Sequence, residues 1–181
     1  MSLPIFLKVM TGIAQLPNTD LLNTLSSSLK SVFDTMLSYE LVANGNEDFS
    51  GTKPQAPKLG GSDMNSVFVG SVGFVGEASG VIYLFLQEEF ANTIAAKITG
   101  LEGDDLDYDI VTDVCGELTN MFSGSFKNMM VDIGYDSTLT IPTVLSGDEL
   151  YISSLGVEKH LRQSFQSNGC DVVADLVLAE G

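Results

Sequence analysis

The sequence predicts an α+β domain with a mainly antiparallel sheet and two long helices packed against it. Two long segments carry apolar residues at three- and four-residue spacing, which is typical of amphipathic helices. Short runs rich in Val, Ile, Leu and Phe lie after the first of these segments and after the second, bounded by Gly and Asn turn signals. The chain of 181 residues suffices for one domain with a sizeable core. We place that domain at residues 18–181, after an N-terminal arm of residues 1–17.

The first long helix begins near Asn18 or Thr19, because either side chain can cap a helix, and it runs to about Tyr39. Asp20 lies in its first turn, where a carboxylate is favourable. Residues 44–65 are rich in Gly, Pro, Lys, Asp and Ser, which predicts a long loop, with or without a short strand inside it. The apolar stripe of the helix comprises Leu21, Leu22, Leu25, Leu29, Val32, Phe33, Met36 and Leu37.

Two strands and a shorter helix follow the loop. Residues 67–75 and 81–86 are the strands, and residues 76–80 form the turn region between them. The helix starts at Glu88, and Gly100 ends it. Its predicted buried stripe comprises Phe90, Ile94, Ala95 and Ile98.

The rest of the chain predicts one more long helix and three strands. An acidic connector spans residues 101–109, and the helix covers about residues 107–130. Residues 138–144 form one candidate strand. Residues 162–166 and 170–178 form a hairpin around an Asn-Gly dipeptide, which tolerates the positive φ of a tight turn.

Composition restricts the candidate partners and the compartment. The formal net charge is −16, from 24 acidic and 8 basic side chains, so the protein repels phosphate backbones and anionic lipid. We therefore expect neither nucleic acid nor membrane as a partner, and favour a protein with a basic patch. Cys115 and Cys170 fit buried thiols in a reducing compartment better than a disulfide framework. The N-terminal segment is a weak signal-peptide candidate, and no run is apolar enough to span a membrane, so we expect a cytoplasmic protein.

The second long helix carries the most informative pattern. At about 100° per residue, Asp113, Glu117, Asn120 and Gly124 fall within an arc of roughly 60° beside the apolar face. This set, called the polar stripe below, places a carboxylate and a carboxamide one turn apart on a rigid element. Gly124 leaves a shallow depression, although Gly inside a helix costs about 0.5–1 kcal/mol relative to Ala.

Spacing alone does not assign a function to the polar stripe. Exposed helix faces commonly carry Asp, Glu and Asn, and Gly124 could serve close packing instead. His160, the only histidine, has no recognisable nucleophile partner, so we expect it on the surface or at a strand edge. The acidic connector lacks EF-hand spacing, so it predicts a solvated helix start and no metal site.

The polar stripe resembles the signature of the CheC/CheX/FliY family of response-regulator phosphatases. That signature is an acidic residue or Ser, then Glu four residues on, Asn three further and Gly four further. The likeness extends over roughly residues 20–180, in the same order of elements. It includes the segments 32–37, 73–81, 88–91 and 141–147.

The resemblance implies a CheC/CheX-like fold with one site. CheC-type members carry the motif on both long helices, but the first helix here has no Glu followed three residues later by Asn. The chain is therefore more similar to CheX, whose members form homodimers through their sheets. The N-terminal arm and the 44–65 loop depart from the family pattern.

The resemblance also implies a substrate and residue roles. The substrate would be the aspartyl phosphate of a CheY-like receiver, which itself holds Mg²⁺, so no cofactor is expected in this chain. Asn120 would orient the attacking water, because a carboxamide donates and accepts hydrogen bonds without titrating. Glu117 would pair with the receiver's active-site lysine. Asp113 would be a peripheral contact, and Gly124 would let the receiver approach.

Two other functions compete with this interpretation. The same helix could dock on a receiver or motor component without accelerating hydrolysis, as a signalling scaffold. More remotely, the stripe could meet another subunit of a dimeric scaffold. The joint presence of Glu117 and Asn120 favours the phosphatase.

Overall fold

The predicted α+β architecture is confirmed by a computed structural model of the chain. Three α-helices and seven strands form within the described residues, and every strand pair is antiparallel. The strands make one sheet in the order β1-β6-β7-β3-β2-β4, with β5 also pairing β2. The structure describes residues 12–52, 57, 59, 66–77, 79–148, 150 and 156–179.

The helices lie close to the segments that the sequence predicts. They are α1 (Asn18–Leu37), α2 (Glu88–Thr99) and α3 (Tyr108–Asp132), so the two long ones have 20 and 25 residues. Ser38 and Gly100 end the first two in the left-handed conformation, with φ of 51° and 74°. Across the described stretches, none of the helices has the length and apolar character that crossing a membrane requires.

The strands alternate between two faces of the sheet, and the helices cover only one of them. The largest fully buried side chains on the helical side include Phe33, Phe90, Phe122, Phe126 and Phe165. A smaller apolar cluster of Val69, Phe85 and Val173 lies on the opposite face. The strands are β1 (Val42–Asp48), β2 (Val67–Gly76), β3 (Gly80–Gln87), β4 (Ser137–Leu139), β5 (Thr143–Gly147), β6 (Val157–Ser167) and β7 (Cys170–Ala179).

One glycine sets how closely α3 approaches the sheet. Gly70 in β2 faces Thr119 of α3, and a Cβ added at Gly70 would overlap the Thr119 side chain. Thr119 is buried, and its hydroxyl donates to the Cys115 carbonyl at 2.7 Å. The helix therefore packs directly on the backbone of β2.

The short strand that the prediction for residues 44–65 allowed lies at the start of that segment and begins two residues before it. Residues 42–48 form β1, which pairs with β6 at the sheet edge. All seven residues of β1 are exposed, so no alternation of apolar and polar side chains signals a strand there. Residues 53–56, 58 and 60–65 lie outside the described residues.

The single strand predicted over residues 138–144 is divided into β4 and β5. Both strands pair with β2. Between them, the Gly73 N–H donates to the side-chain hydroxyl of Thr140 at 2.9 Å, and not to a backbone carbonyl as in a regular ladder. Ile141 is 85% exposed, and Pro142 lacks an N–H for the ladder. The chain therefore leaves the sheet between the two short strands.

Part of the predicted N-terminal arm packs on the domain. Residues 13–15 form one turn of 3₁₀-helix, in which Ile13 and Ala14 are buried in the main core. The Lys159 ammonium donates to the Leu16 carbonyl at 2.7 Å and to the Asn18 side chain at 2.8 Å. This lysine attaches the start of α1 to β6. Residues 1–11 lie outside the described residues.

The prediction that His160 lies on the surface or at a strand edge is wrong. His160 is 4% exposed, and its Nε2 lies 2.8 Å from Asp175 Oδ2. Arg162 donates from Nε and Nη2 to the two oxygens of Asp175, at 2.7 Å each. The ring of Phe49 packs against both residues: its centre lies 5.5 Å from the centre of the His160 ring and 4.9 Å from Cζ of Arg162. The histidine is buried because it belongs to an internal ion cluster.

Candidate functional site

The polar stripe lies on α3, whose first turn is held at several points. Asp107 caps the helix, since its carboxylate accepts from the Ile110 N–H at 2.9 Å. The Tyr108 hydroxyl lies 2.7 Å from the Ser146 hydroxyl in β5, and its ring packs on Phe68 in β2. These contacts fix the direction in which the helix leaves the sheet.

The four residues of the polar stripe share one side of an uninterrupted helix. Asp113 and Glu117 are exposed, whereas Asn120 and Gly124 are half-buried. Glu117 and Asn120 are separated by about 4.5 Å along the helix axis. Within the described residues, neither side chain has a hydrogen-bond partner. A carboxylate and a carboxamide are therefore presented together with their hydrogen-bonding capacity unused.

The opposite side of α3 is buried and holds the stripe in place. Its buried residues are Val111, Val114, Cys115, Gly116, Leu118, Thr119, Phe122, Ser123, Phe126 and Met130. Burial raises the pKa of the Cys115 thiol to about 12, so this thiol is neutral at physiological pH. Cys115 is buried as predicted, while Cys170 is only half-buried.

A groove lies beside the polar stripe, where the three helices meet. Its volume is about 240 Å³. Met36 at the end of α1 and Ile98 at the end of α2 are 38% and 39% exposed, so the prediction that Ile98 is buried is wrong. This three-helix groove is lined by Met36, Ile98, Asp113, Val114, Glu117, Leu118 and Met121.

Sequence reasoning found the polar stripe but missed the groove. Spacing along one helix predicts which residues share its face, whereas the groove needs side chains from three helices. One signal for the groove was available in the sequence: Met36 and Ile98 each lie in the last turn of their helix, where an apolar side chain is least often fully buried. No group of three or more His, Cys, Asp or Glu side chains within the described part of the chain could hold a metal ion.

The geometry of the stripe supports chemistry done on a second molecule. A carboxylate can pair with a cation, and a carboxamide can accept and donate hydrogen bonds at the same time. Both groups project from a rigid helix towards solvent, which leaves room for a docked partner. A profile of the protein family described as "Chemotaxis phosphatase CheX" matches residues 68–166, more than half of the chain. The chain belongs to the CheX family.

Known members and solved structures agree with this assignment. The CheY-P phosphatase CheX of Thermotoga maritima is 34% identical over 87 residues, which cover 48% of this chain and 56% of that protein. The match thus spans little more than half the length of that relative. A CheC-like superfamily protein from Shewanella sp. PV-4 is 28% identical, with a TM-score of 0.73, over 91% of this chain and 100% of that one.

A further solved structure has the same fold at lower identity. It is the CheX–CheY–BeF3–Mg²⁺ complex of Borrelia burgdorferi, 23% identical with a TM-score of 0.63, over 89% of this chain and 99% of that one. In the CheX-family chain described here, the family match includes all of the polar stripe and most of the sheet. The N-terminal 3₁₀ turn, α1, β1 and β7 lie outside the matched residues.

Gly124 provides a test of whether the stripe is optimised for stability. A Cβ added there meets nothing within 4 Å, and Ala is favoured over Gly inside a helix. We expect Gly124→Ala to raise the free energy of unfolding by about 0.5–1 kcal/mol in chemical denaturation. Gly70→Ala is the matched control: it should lower that free energy by about 1–3 kcal/mol, because its methyl group overlaps Thr119. A loss of stability in Gly124→Ala would mean that the helix cannot accept a methyl group there.

Proposed function

We propose that this CheX-family chain is a phosphatase that hydrolyses the aspartyl phosphate of a CheY-like response regulator. The observation that carries the proposal is the pair of unpartnered side chains, Glu117 and Asn120, on the solvent-facing side of α3. The named activity of the Thermotoga relative and the CheY partner of the Borrelia structure support it.

Asn120 orients the water that attacks the phosphorus atom. Hydrolysis of an acyl phosphate needs a water molecule in line with the leaving carboxylate, so catalysis depends on positioning and charge stabilisation. The Asn120 side chain is half-buried, which limits its rotamers and lowers the entropy lost when it holds the water. Because a carboxamide does not titrate, it can hold the water over the whole physiological pH range.

Glu117 pairs with the lysine of the receiver's active site. Its carboxylate lies one turn before Asn120, so the ion pair would place α3 over the phosphoryl group. Asp113, a further turn away, makes a peripheral contact with the receiver. Gly124 leaves open space on the other side of Asn120, so the receiver backbone can approach.

The divalent ion of the reaction belongs to the partner. Mg²⁺ held by the receiver supplies charge stabilisation for the phosphoryl group, and the chain described here contributes the water-positioning amide and the anchoring carboxylate. The formal net charge of −16 favours a partner with basic residues around its active site.

We also propose a homodimer formed through the sheets. The edge strand β1 is fully exposed and, among the strands that the structure describes, pairs on one side only, with β6. Its free edge offers unpaired N–H and C=O groups to another strand. Light scattering of the purified protein at several concentrations tests this assembly: a mass of one chain throughout would contradict it.

The decay of a phosphorylated receiver tests the proposed function. The radiolabelled CheY-like receiver of the source organism should lose its phosphoryl group faster with wild-type protein than alone. Glu117→Gln keeps the shape but removes the charge that pairs with the lysine, so we expect kcat/KM to fall about tenfold or more, mainly through a higher KM. Glu88→Gln in the exposed first turn of α2 is the matched control and should behave as wild type.

Two results would contradict the proposal. Binding of wild-type protein to the receiver without any faster decay would favour the non-catalytic receiver-binding module. A Glu117→Gln variant as active as Glu88→Gln would remove the anchoring role of the carboxylate, even if wild-type protein proved to be a phosphatase.

A further inference from the structure

The apolar part of the three-helix groove is the strongest surface feature that has no role in the proposed chemistry. Its floor is apolar, formed by side chains such as Val114, Leu118 and Met121, and its upper walls are Met36 and Ile98. Both wall residues are more than one-third exposed, although each lies on the apolar stripe of its own helix. Exposed apolar side chains that converge from separate helices on one cavity are typical of binding surfaces.

The groove is continuous with the polar stripe. Asp113 and Glu117 line it on the side of α3, so the carboxylate assigned to the receiver lysine is also part of the groove wall. Any protein seated over Glu117 and Asn120 therefore covers at least part of this cavity. The two carboxylates are the only charged side chains that line the groove among the described residues.

The charge pattern restricts the occupant. An apolar floor with a carboxylate rim suits an apolar side chain that is flanked by lysine or arginine on its own surface. Lys97, beside Ile98, is not among the lining residues, and its ammonium lies 4.7 Å from the centre of the Tyr39 ring. The rim is therefore acidic where the receiver would face it.

We infer that the three-helix groove is the specificity pocket for the receiver: it takes an apolar side chain of the receiver, next to the lysine that Glu117 pairs with. This inference rests on the proposed function. The volume of about 240 Å³ exceeds that of one large apolar side chain, so one residue can enter with room for its neighbour. The polar stripe then provides catalysis, and the groove determines which receiver binds.

Truncation of the groove walls tests the inference through binding. The probe is the CheY-like receiver of the source organism loaded with beryllofluoride and Mg²⁺, and its Kd is measured by calorimetry. We expect Ile98→Ala and Met36→Ala each to raise Kd about three- to tenfold, and the double variant to raise it further. In the decay assay KM should rise similarly, while kcat stays within about twofold of wild type.

Val131→Ala is the matched control. Val131 is an apolar residue of α3 that is 42% exposed, and it lies about 20 Å along the helix from Glu117. Its Kd should equal that of wild type. Because all three side chains are well exposed, their truncation should leave the melting temperature nearly unchanged.

The possible failures are distinct. Wild-type protein that binds the receiver without hydrolysis would contradict the proposed function, and a higher Kd in the wall variants would still support the groove. Unchanged Kd values in both wall variants would overturn the inference, as would an equal rise in Val131→Ala. Altered self-association of the wall variants with an unchanged Kd would assign the groove to a second copy of the chain and also overturn it.

Discussion

Replacing Asn120 with alanine should lower kcat for receiver dephosphorylation by about a hundredfold or more, while Kd for the receiver changes little. The physical reason is that, in the proposed mechanism, the amide acts chiefly by holding a water molecule in line, and loss of alignment costs orders of magnitude in rate. Asn120→Asp should be nearly as slow, since a carboxylate cannot donate a hydrogen bond and repels the phosphoryl oxygens. Single-turnover decay of the labelled receiver measures this rate.

Asn128→Ala provides the matched control for this substitution. Asn128 is an exposed asparagine of the same helix, two turns beyond Asn120. It should retain wild-type kcat and KM. If Asn120→Ala retained the wild-type rate while receiver binding persisted, the water-positioning role would be wrong, and the search for the reacting group would move to the carboxylates of the polar stripe.

Replacing Asp175 with alanine should lower the free energy of unfolding by about 3–5 kcal/mol. Asp175 is 0% exposed and neutralises Arg162, which is 3% exposed, through two hydrogen bonds of 2.7 Å. The variant removes this carboxylate from a buried guanidinium, and breaking a buried ion pair by removing one partner costs far more than the pair is stabilising. Urea or guanidinium denaturation measures the loss, which is a large part of the stability of an ordinary domain.

Two further variants separate the buried charge from a general effect of substitution in β7. Asp171→Ala removes a half-buried carboxylate of the same strand, which accepts from Gln166 at 3.2 Å, and should cost less than about 1 kcal/mol. Adding Arg162→Met to Asp175→Leu should recover much of the stability, because an apolar pair of similar volume carries no desolvation penalty. A loss below about 1 kcal/mol in Asp175→Ala would mean that water reaches the cluster.

Local periodicity explains why much of the fold could be predicted. The helices α1, α2 and α3 each bury one stripe of side chains, and the strands β2, β3 and β7 are apolar runs beside recognisable turns, so each signal is contained in a short segment. The polar strand β6 was predicted only over residues 162–166, although it spans residues 157–167. The polar stripe was predictable for the same reason, since helix geometry alone places Glu117 beside Asn120.

The features that sequence reasoning missed depend on tertiary contacts. β1 has no buried side chain, so only its partner β6 gives it strand structure. His160 is buried because its ring reaches Asp175 on the neighbouring strand, where that carboxylate lies opposite Arg162, and because Phe49 covers it from a distant part of the chain. The three-helix groove exists only once Met36 and Ile98 come together, and no spacing within one helix encodes that meeting.

The contact between Gly70 and Thr119 couples the sheet to the position of α3, the helix that carries the polar stripe. Thr119 is the immediate neighbour of Asn120 but faces the sheet. The size of the residue at position 70 therefore sets how far the Asn120 amide lies from the sheet. A side chain gained at position 70 would push α3 away from the sheet by a fraction of the helix diameter. Position 70, although it lies in the sheet, thereby restricts how the surface that carries the polar stripe can change, and under the proposed function any such change would require a matching change in the receiver.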